Sequence, residues 1–202
     1  MPPVRPRRRN ARGQGSRLRG EILDASCRLI DRGGDALTLR AVARETGIAG
    51  PSIYDHFASI EDIRDDLVRA CFEELIRRMA EADARSSDPE DRLHAICEAY
   101  VAYGEEFPNR YALLYRSVRT RAQKASSGNG GARALQILVD SIADCAAAGR
   151  SASVDPYDDA VAVWTAIHGL TTLRASRPDF SNLQADEMLR NLVRRQARIV
   201  SS

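Results

Sequence analysis

A chain of 202 residues, 44% hydrophobic and 29% charged, has ample material for a core, as one long domain or as a small domain plus a larger one. No apolar run approaches the roughly 18 residues that a membrane span needs. The basic beginning lacks the apolar segment of a secretory leader, so a cytoplasmic protein is expected.

The net charge of +2 hides an asymmetry: residues 1–19 hold seven arginines and no acid, which leaves the rest with 23 basic and 28 acidic residues. A basic arm on a mildly acidic body fits a nucleic-acid partner for the arm and not for the body. Lys124 is the only lysine, so part of the arginine excess reflects genomic base composition. The four cysteines, Cys27, Cys71, Cys97 and Cys145, are far apart and form no C-x-x-C. They read as reduced thiols inside helices, with a redox switch as the alternative.

Helical periodicity recurs along the chain and strand signals are nearly absent, which predicts an all-α protein of about nine helices. Residues 1–16 contain three prolines, two glycines and little that is apolar, and read as a disordered arm. Its Arg5, Arg7, Arg8, Arg9 and Arg12 are candidates for phosphate or minor-groove contact; the alternative is a solvated tail. A first helix over about 17–32 carries an inward stripe of Leu18, Ile22, Ala25, Leu29 and Ile30.

Residues 38–58, TLRAVARETGIAGPSIYDHFA, carry the densest signal. Thr38 stands where an N-cap belongs, and Leu39, Val42 and Ala43 fall at helical spacing. Gly47 can take a left-handed C-cap, and Ile48 plugs the turn. Gly50 and Pro51 restart a helix whose buried edge is Ile53 and Phe57. Ala43, Gly47 and Ile53 supply a small contact residue, a corner glycine and a branched lock, as two steeply crossed helices require. The spacing predicts a helix-turn-helix, whose second helix enters a DNA major groove; an ordinary helical hairpin is the alternative.

Ser59 and Asp62 form a capping box that opens a long helix over about 60–84, striped by Ile63, Leu67, Cys71, Leu75 and Met79. Asp88-Pro89 opens a fifth helix, about 89–105, with Leu93, Ile96, Tyr100 and Tyr103 inward. Asn109–Val118 is a short aromatic helix, and residues 119–131 read as a mobile loop. A seventh helix covers about 132–148 and stops at Gly149. Asp155-Pro156 repeats the capping pattern for an eighth, about 156–175. The ninth, about 182–200, has an apolar stripe of Leu189, Leu192, Val193, Gln196 and Val200. Its basic face of Arg190, Arg194, Arg195 and Arg198 is expected to be solvated.

Residues 19–68 resemble the N-terminal domain of the TetR family of transcriptional regulators. The resemblance rests on Gly33-Gly34, Leu37-Thr38, Ile53-Tyr54-x-His56-Phe57 and Ser59-x-x-Asp62. Trp164-x-x-x-His168-Gly169 and the aromatic helix Pro108–Tyr115 are similar to one group of that family's C-terminal domains. With the disordered basic arm at 1–16 set aside, the resemblance implies a helix-turn-helix domain at 17–62 and a regulatory and dimerisation domain at 63–202. It implies a homodimer through the last two helices, bound to a palindromic double-stranded operator and released by an unknown small-molecule effector, usually as a repressor. The long fourth helix would link the DNA-binding and effector-binding parts.

Ser52, Tyr54 and His56 match family positions that touch DNA. Thr38, Arg40 and Gly50 are counted with them. Two departures weaken the electrostatics: Ile60 stands where many relatives have a phosphate-binding lysine, and Asp55 faces the DNA side. A helical ligand-sensing or protein-interaction module without specific DNA binding is the competing reading.

The aromatic side chains of the C-terminal half suggest a mostly apolar effector pocket lined by Leu75, Tyr100, Tyr103, Tyr111, Tyr115, Trp164 and His168. Trp164 and His168 lie one turn apart and could instead be a packed core pair. Enzyme signatures are missing: His56, His94 and His168 are dispersed, and no G-x-S-x-G, P-loop or G-x-G-x-x-G occurs. Gly128-Asn129-Gly130-Gly131 follows no strand and is not read as a phosphate loop. No catalysis, cofactor or metal is expected.

Overall fold

The computed structural model describes residues 15–33, 37–116, 129–177 and 185–200. Among them are nine helices and no strand, apart from one isolated antiparallel bridge between Ser151 and Ile199. The expected arm up to residue 14 and most of the expected loop at 119–131 lie outside the described residues, while Gly15 and Ser16, expected in the arm, open the first helix. The described part divides into two compact units. One takes the residues up to Cys71 together with Asn109 to Arg116; the other takes Phe72 to Pro108 and everything from Asn129 on.

The first unit begins with α1 (Gly15–Asp31), whose stripe of Leu18, Ile22, Ala25, Leu29 and Ile30 is buried as its spacing requires. α2 (Leu39–Thr46) starts at Thr38, whose hydroxyl accepts from the Ala41 amide at 3.1 Å, and stops at Gly47, where φ is 69°. That left-handed backbone is open to glycine without a Cβ penalty, and it turns the chain toward α3 (Pro51–Tyr54). α3 is only four residues long and continues to Phe57 in a tight turn. Ile53 and Phe57, 0% and 2% exposed, join Val42, Ile22 and Ile63 in the core of this unit. Ile60 packs on the same core at its edge, which accounts for an apolar residue at that position.

α4 (Ile60–Asp83) opens with reciprocal bonds, Ser59 N to Asp62 and Asp62 N to Ser59 Oγ, both 3.1 Å. It belongs to the first unit up to Cys71 and to the second from Phe72. α6 (Pro108–Arg116) joins the first unit from Asn109 on. Arg110 grips Asp31, the last residue of α1, through two bonds of 2.7 and 2.6 Å, and the Asn109 amide donates to the Asp31 carbonyl. Leu113 packs on the core cluster. The sequence-based division at residue 62 had placed this helix entirely with the C-terminal half.

The second unit is built on α5 (Pro89–Glu106), α7 (Gly130–Ala147), α8 (Pro156–Ser176) and α9 (Ala185–Gln196). α8 packs against α5, α7 and α9, and α5 also meets α7 and α9. Both Asp-Pro caps form: Asp88 accepts from Glu90 and Asp91, and Asp155 from Tyr157 and Asp158. Gly130 is buried, and a Cβ there would come within 2.5 Å of Phe72, so the glycine serves the approach of α7 to α4 within this unit.

The end of the chain folds back on the α7–α8 turn. Ala152 N donates to Arg198 O at 2.9 Å, and Ser151 Oγ donates to Ala197 O at 2.6 Å. The basic face of α9 is not simply solvated: Arg194 bonds Glu90 at 2.6 Å, and Arg198, just beyond the helix, bonds Asp159 at 3.0 Å. Leu189 and Val193 of its stripe are already buried within the chain, Leu192 is half-buried and Val200 is exposed.

Candidate functional site

In the first unit, the inner residues just described leave a distinct outer surface. Tyr54 is 59% exposed, the highest among the described aromatic side chains, while its neighbour Ile53 is wholly buried. Ser52 and His56 are half-buried; Gly50 is exposed and is the N-cap of α3, with no side-chain cap bond. A phenol and a hydroxyl on a protruding helix can donate to and accept from base edges, and the phenol adds an apolar ring for a thymine methyl.

Thr38 and Arg40 are exposed at the start of α2. The Thr38 oxygen is engaged as a cap, but a hydroxyl that accepts still has a proton to donate, and a phosphate oxygen is a fitting acceptor. Arg44, which the sequence reading passed over, is exposed one turn after Arg40 and extends that cationic edge. Its spacing from Arg40, on the side of α2 away from Ala41 and Val42, was the signal available. Asp55 is exposed and is the C-cap of α3. Arg5, Arg7, Arg8, Arg9 and Arg12 lie outside the described residues.

Arg19, counted by sequence with the basic arm, has a different position. Its Nη1 donates to the His56 carbonyl at 2.6 Å, its Nη2 donates to Asp66, and its guanidinium lies 4.1 Å from the centre of the Phe57 ring. Two further arginines, Arg28 and Arg32 of α1 and its end, bond Glu45 of α2 at 3.1 and 2.5 Å. These arginines hold helices together.

The seven residues expected to line an effector pocket divide between the units. In the second, Leu75, Tyr100 and Tyr103 are completely buried, and Trp164 is half-buried with its ring edge-on to Tyr100 at 6.0 Å. His168, one turn further, is half-buried, and burial pushes its imidazole below the ordinary value of 6.5, which favours the neutral form. In the first unit, Tyr111 is buried and Tyr115 is 37% exposed, their rings 5.2 Å apart.

The second unit also carries an open groove of about 350 Å³ between α4 and α5. It is lined by Arg77, Arg78, Glu81, Arg85, Glu98 and three alanines, and by none of the seven. The four cysteines are free thiols; burial pushes Cys145 up to about 11 and raises Cys97 and Cys27 as well, so none of these three is primed as a nucleophile. Among the described residues, no group of three His, Cys, Asp or Glu could hold a metal ion. No helix among them is long and apolar enough to cross a membrane.

Residues 22–67 match the family described as bacterial regulatory proteins, tetR family, and residues 93–196 match the tetracyclin repressor-like C-terminal domain. The chain is 27% identical to the HTH-type transcriptional regulator Rv0681 of Mycobacterium tuberculosis, over 89% of this chain and 79% of that protein. It is 35% identical to the HTH-type transcriptional repressor KstR2 of the same species, over 42% of each. The TetR family transcriptional regulator PfmR from Thermus thermophilus shares the fold, with a TM-score of 0.68 and 21% identity over 90% of this chain and 99% of that one. Both halves of the chain thus match one family: the chain belongs to the TetR family, DNA-binding transcriptional regulators with an N-terminal helix-turn-helix and a helical C-terminal domain.

Proposed function

We propose that this protein is a cytoplasmic, non-enzymatic homodimer that represses transcription from a palindromic operator and is released by a small-molecule effector. The observation that carries the DNA reading is α3, which buries Ile53 and Phe57 and leaves Tyr54 largely exposed beside Ser52 and His56. Ser52, Tyr54 and His56 read base edges; Thr38, Arg40 and the N-terminus of α3 at Gly50 meet the backbone; Arg5, Arg7, Arg8, Arg9 and Arg12 neutralise phosphates. The relatives include both a repressor, KstR2, and an activator, FasR, and the higher identity, 35% against 26%, favours repression.

Dimerisation through α8 and α9 is supported by Tyr157, Val161 and Leu173, exposed on α8, and by Leu192, half-buried on α9. For the effector, Tyr100, Tyr103, Trp164 and His168 of the second unit offer a ring-rich, uncharged environment suited to an aromatic-sized, weakly polar molecule, with Leu75 as further lining. The effector must bind the DNA-free conformation more tightly than the DNA-bound one, and α4, continuous through both units, is the natural lever.

The test is selection of bound fragments from random duplex DNA by the purified protein, followed by anisotropy titration of the enriched duplex against a scrambled one. Enrichment of a two-fold symmetric sequence with clear preference over the scramble supports the reading. Equal, weak binding to both would replace it with a helical sensing or interaction module.

A further inference from the structure

α3 cannot hold itself. A four-residue helix closes too few hydrogen bonds to offset its nucleation, and its cap position is Gly50, with no side-chain bond. Its orientation therefore comes from what its inner side and its end rest on. The inner side rests on Ile53 and Phe57. Just past its C-cap Asp55 stands the His56 carbonyl, in the tight turn that carries the chain from α3 to Phe57.

Arg19 meets that end three ways. It donates to the His56 carbonyl at 2.6 Å, lies over the Phe57 ring at 4.1 Å, and donates to Asp66 of α4. Asp66 is only 7% exposed and is held from the other side by Arg69 at 2.5 Å. A single planar guanidinium thus ties α1, the end of α3 and α4 at one point. Lysine cannot reproduce this, because a point-like ammonium cannot stack on the ring and serve two divergent acceptors in one plane.

We propose that Arg19, braced by Asp66, is the positioning residue for sequence recognition: it sets the angle at which Tyr54 and Ser52 are offered to base edges, and it does so without contacting DNA. The proposal rests on the reading of α3 as the recognition helix. Clamping the carbonyl two residues beyond Tyr54 fixes the pitch of a helix too short to fix its own. Loss of the clamp leaves the charges of the surface in place and blurs base readout, since readout depends on placement within a fraction of an ångström while phosphate attraction does not.

The experiment compares Arg19→Lys, Arg19→Gln and Asp66→Glu in the full chain. Each is titrated against a duplex selected by the wild type and a scrambled duplex of the same composition, at four salt concentrations. The clamp predicts that all three lose about tenfold in the operator-to-scramble ratio, the size of one misplaced base contact. It also predicts that the Lys and Gln variants fall together and that the salt slope of scrambled-DNA binding stays at the wild-type value in the Lys and Glu variants.

A phosphate contact by Arg19 predicts the reverse: Lys behaves as wild type, and Gln lowers the slope by about 0.9 per subunit with the ratio unchanged. That result overturns the proposal, as does an unchanged ratio in all three variants with only the melting temperature lowered. Should Arg19→Gln fail to fold, the charge-conserving Lys and Glu variants decide the matter. A wild type that itself shows no preference would instead overturn the reading of α3 on which this rests.

Discussion

α3 and α5 both begin with a proline in the first turn, and they reach helical structure by opposite means. α5 is eighteen residues long, and Asp88 caps it by accepting two amides, at 2.9 and 3.1 Å. Its own sequence suffices. α3 is four residues long, follows a glycine, and is shaped by the burial of its own Ile53 and of the adjoining Phe57 in the core of its unit and by Arg19 of α1. The element that would read DNA is the one with the least structure of its own. Its function is therefore sensitive to residues that never touch DNA, whereas changes at the α5 cap should act on stability and leave DNA readout alone.

Substitutions test that contrast in descending order of effect. Ile53→Ala should cost about 2–5 kcal/mol in urea unfolding, because it empties a fully buried site, and operator preference should collapse along with it. Asp88→Ala should cost about 1–2 kcal/mol, from the lost cap and from its bond to Arg150 at 3.4 Å, with operator preference untouched. A change in that preference would break the contrast.

The pH profile should show two steps. Burial pushes His94 below its ordinary 6.5; Glu98, Asp186 and Asp91 oppose this, and Arg190 adds to it. His168 is lowered by burial alone. The unfolded chain binds these protons first, so stability is complete above about 6.5 and declines as pH falls below it. Glu74, held at about 2 by its bond to Arg77 and then by Arg78, stabilises above 4.5, and that part is lost only as pH falls toward 2. Chemical denaturation at a series of pH values should show the first decline weakened in His94→Gln and the second in Glu74→Gln. The smallest stability effect belongs to Tyr54→Ala, within about 0.5 kcal/mol, because the side chain is 59% exposed.

What the sequence revealed follows from locality. Asp88-Pro89, Asp155-Pro156 and the Ser59–Asp62 box set helix starts to within a residue or so, since cap and helix are adjacent in the chain. Gly47 and Ile53 placed the turn and the inner edge of α3 for the same reason. Partners distant in sequence stayed hidden. Periodicity told that Leu189 and Val193 face inward, but not that their own chain already covers them. Arg110 and Asp31 are 79 residues apart, and nothing in either neighbourhood announces the pair that draws α6 into the first unit. Arg19 was legible as a charge and not as a clamp, because the His56 carbonyl and Asp66 enter through the fold alone. The residues proposed for the effector were legible mostly as rings, while the groove between α4 and α5 is lined by arginine, glutamate and alanine.

The central claim is that α3 carries sequence discrimination while the arginines before α1 carry salt-dependent affinity. The direct measurement is binding to selected and scrambled duplexes at four salt concentrations, for wild type, a truncation lacking residues 1–14, and Tyr54→Ala. If three arginines per subunit engage, the truncated dimer loses about five units of the slope of log affinity against log salt and keeps its preference for the selected duplex. Tyr54→Ala keeps the slope and loses the preference. An unchanged slope on truncation, or an undiminished preference in Tyr54→Ala, would contradict the account.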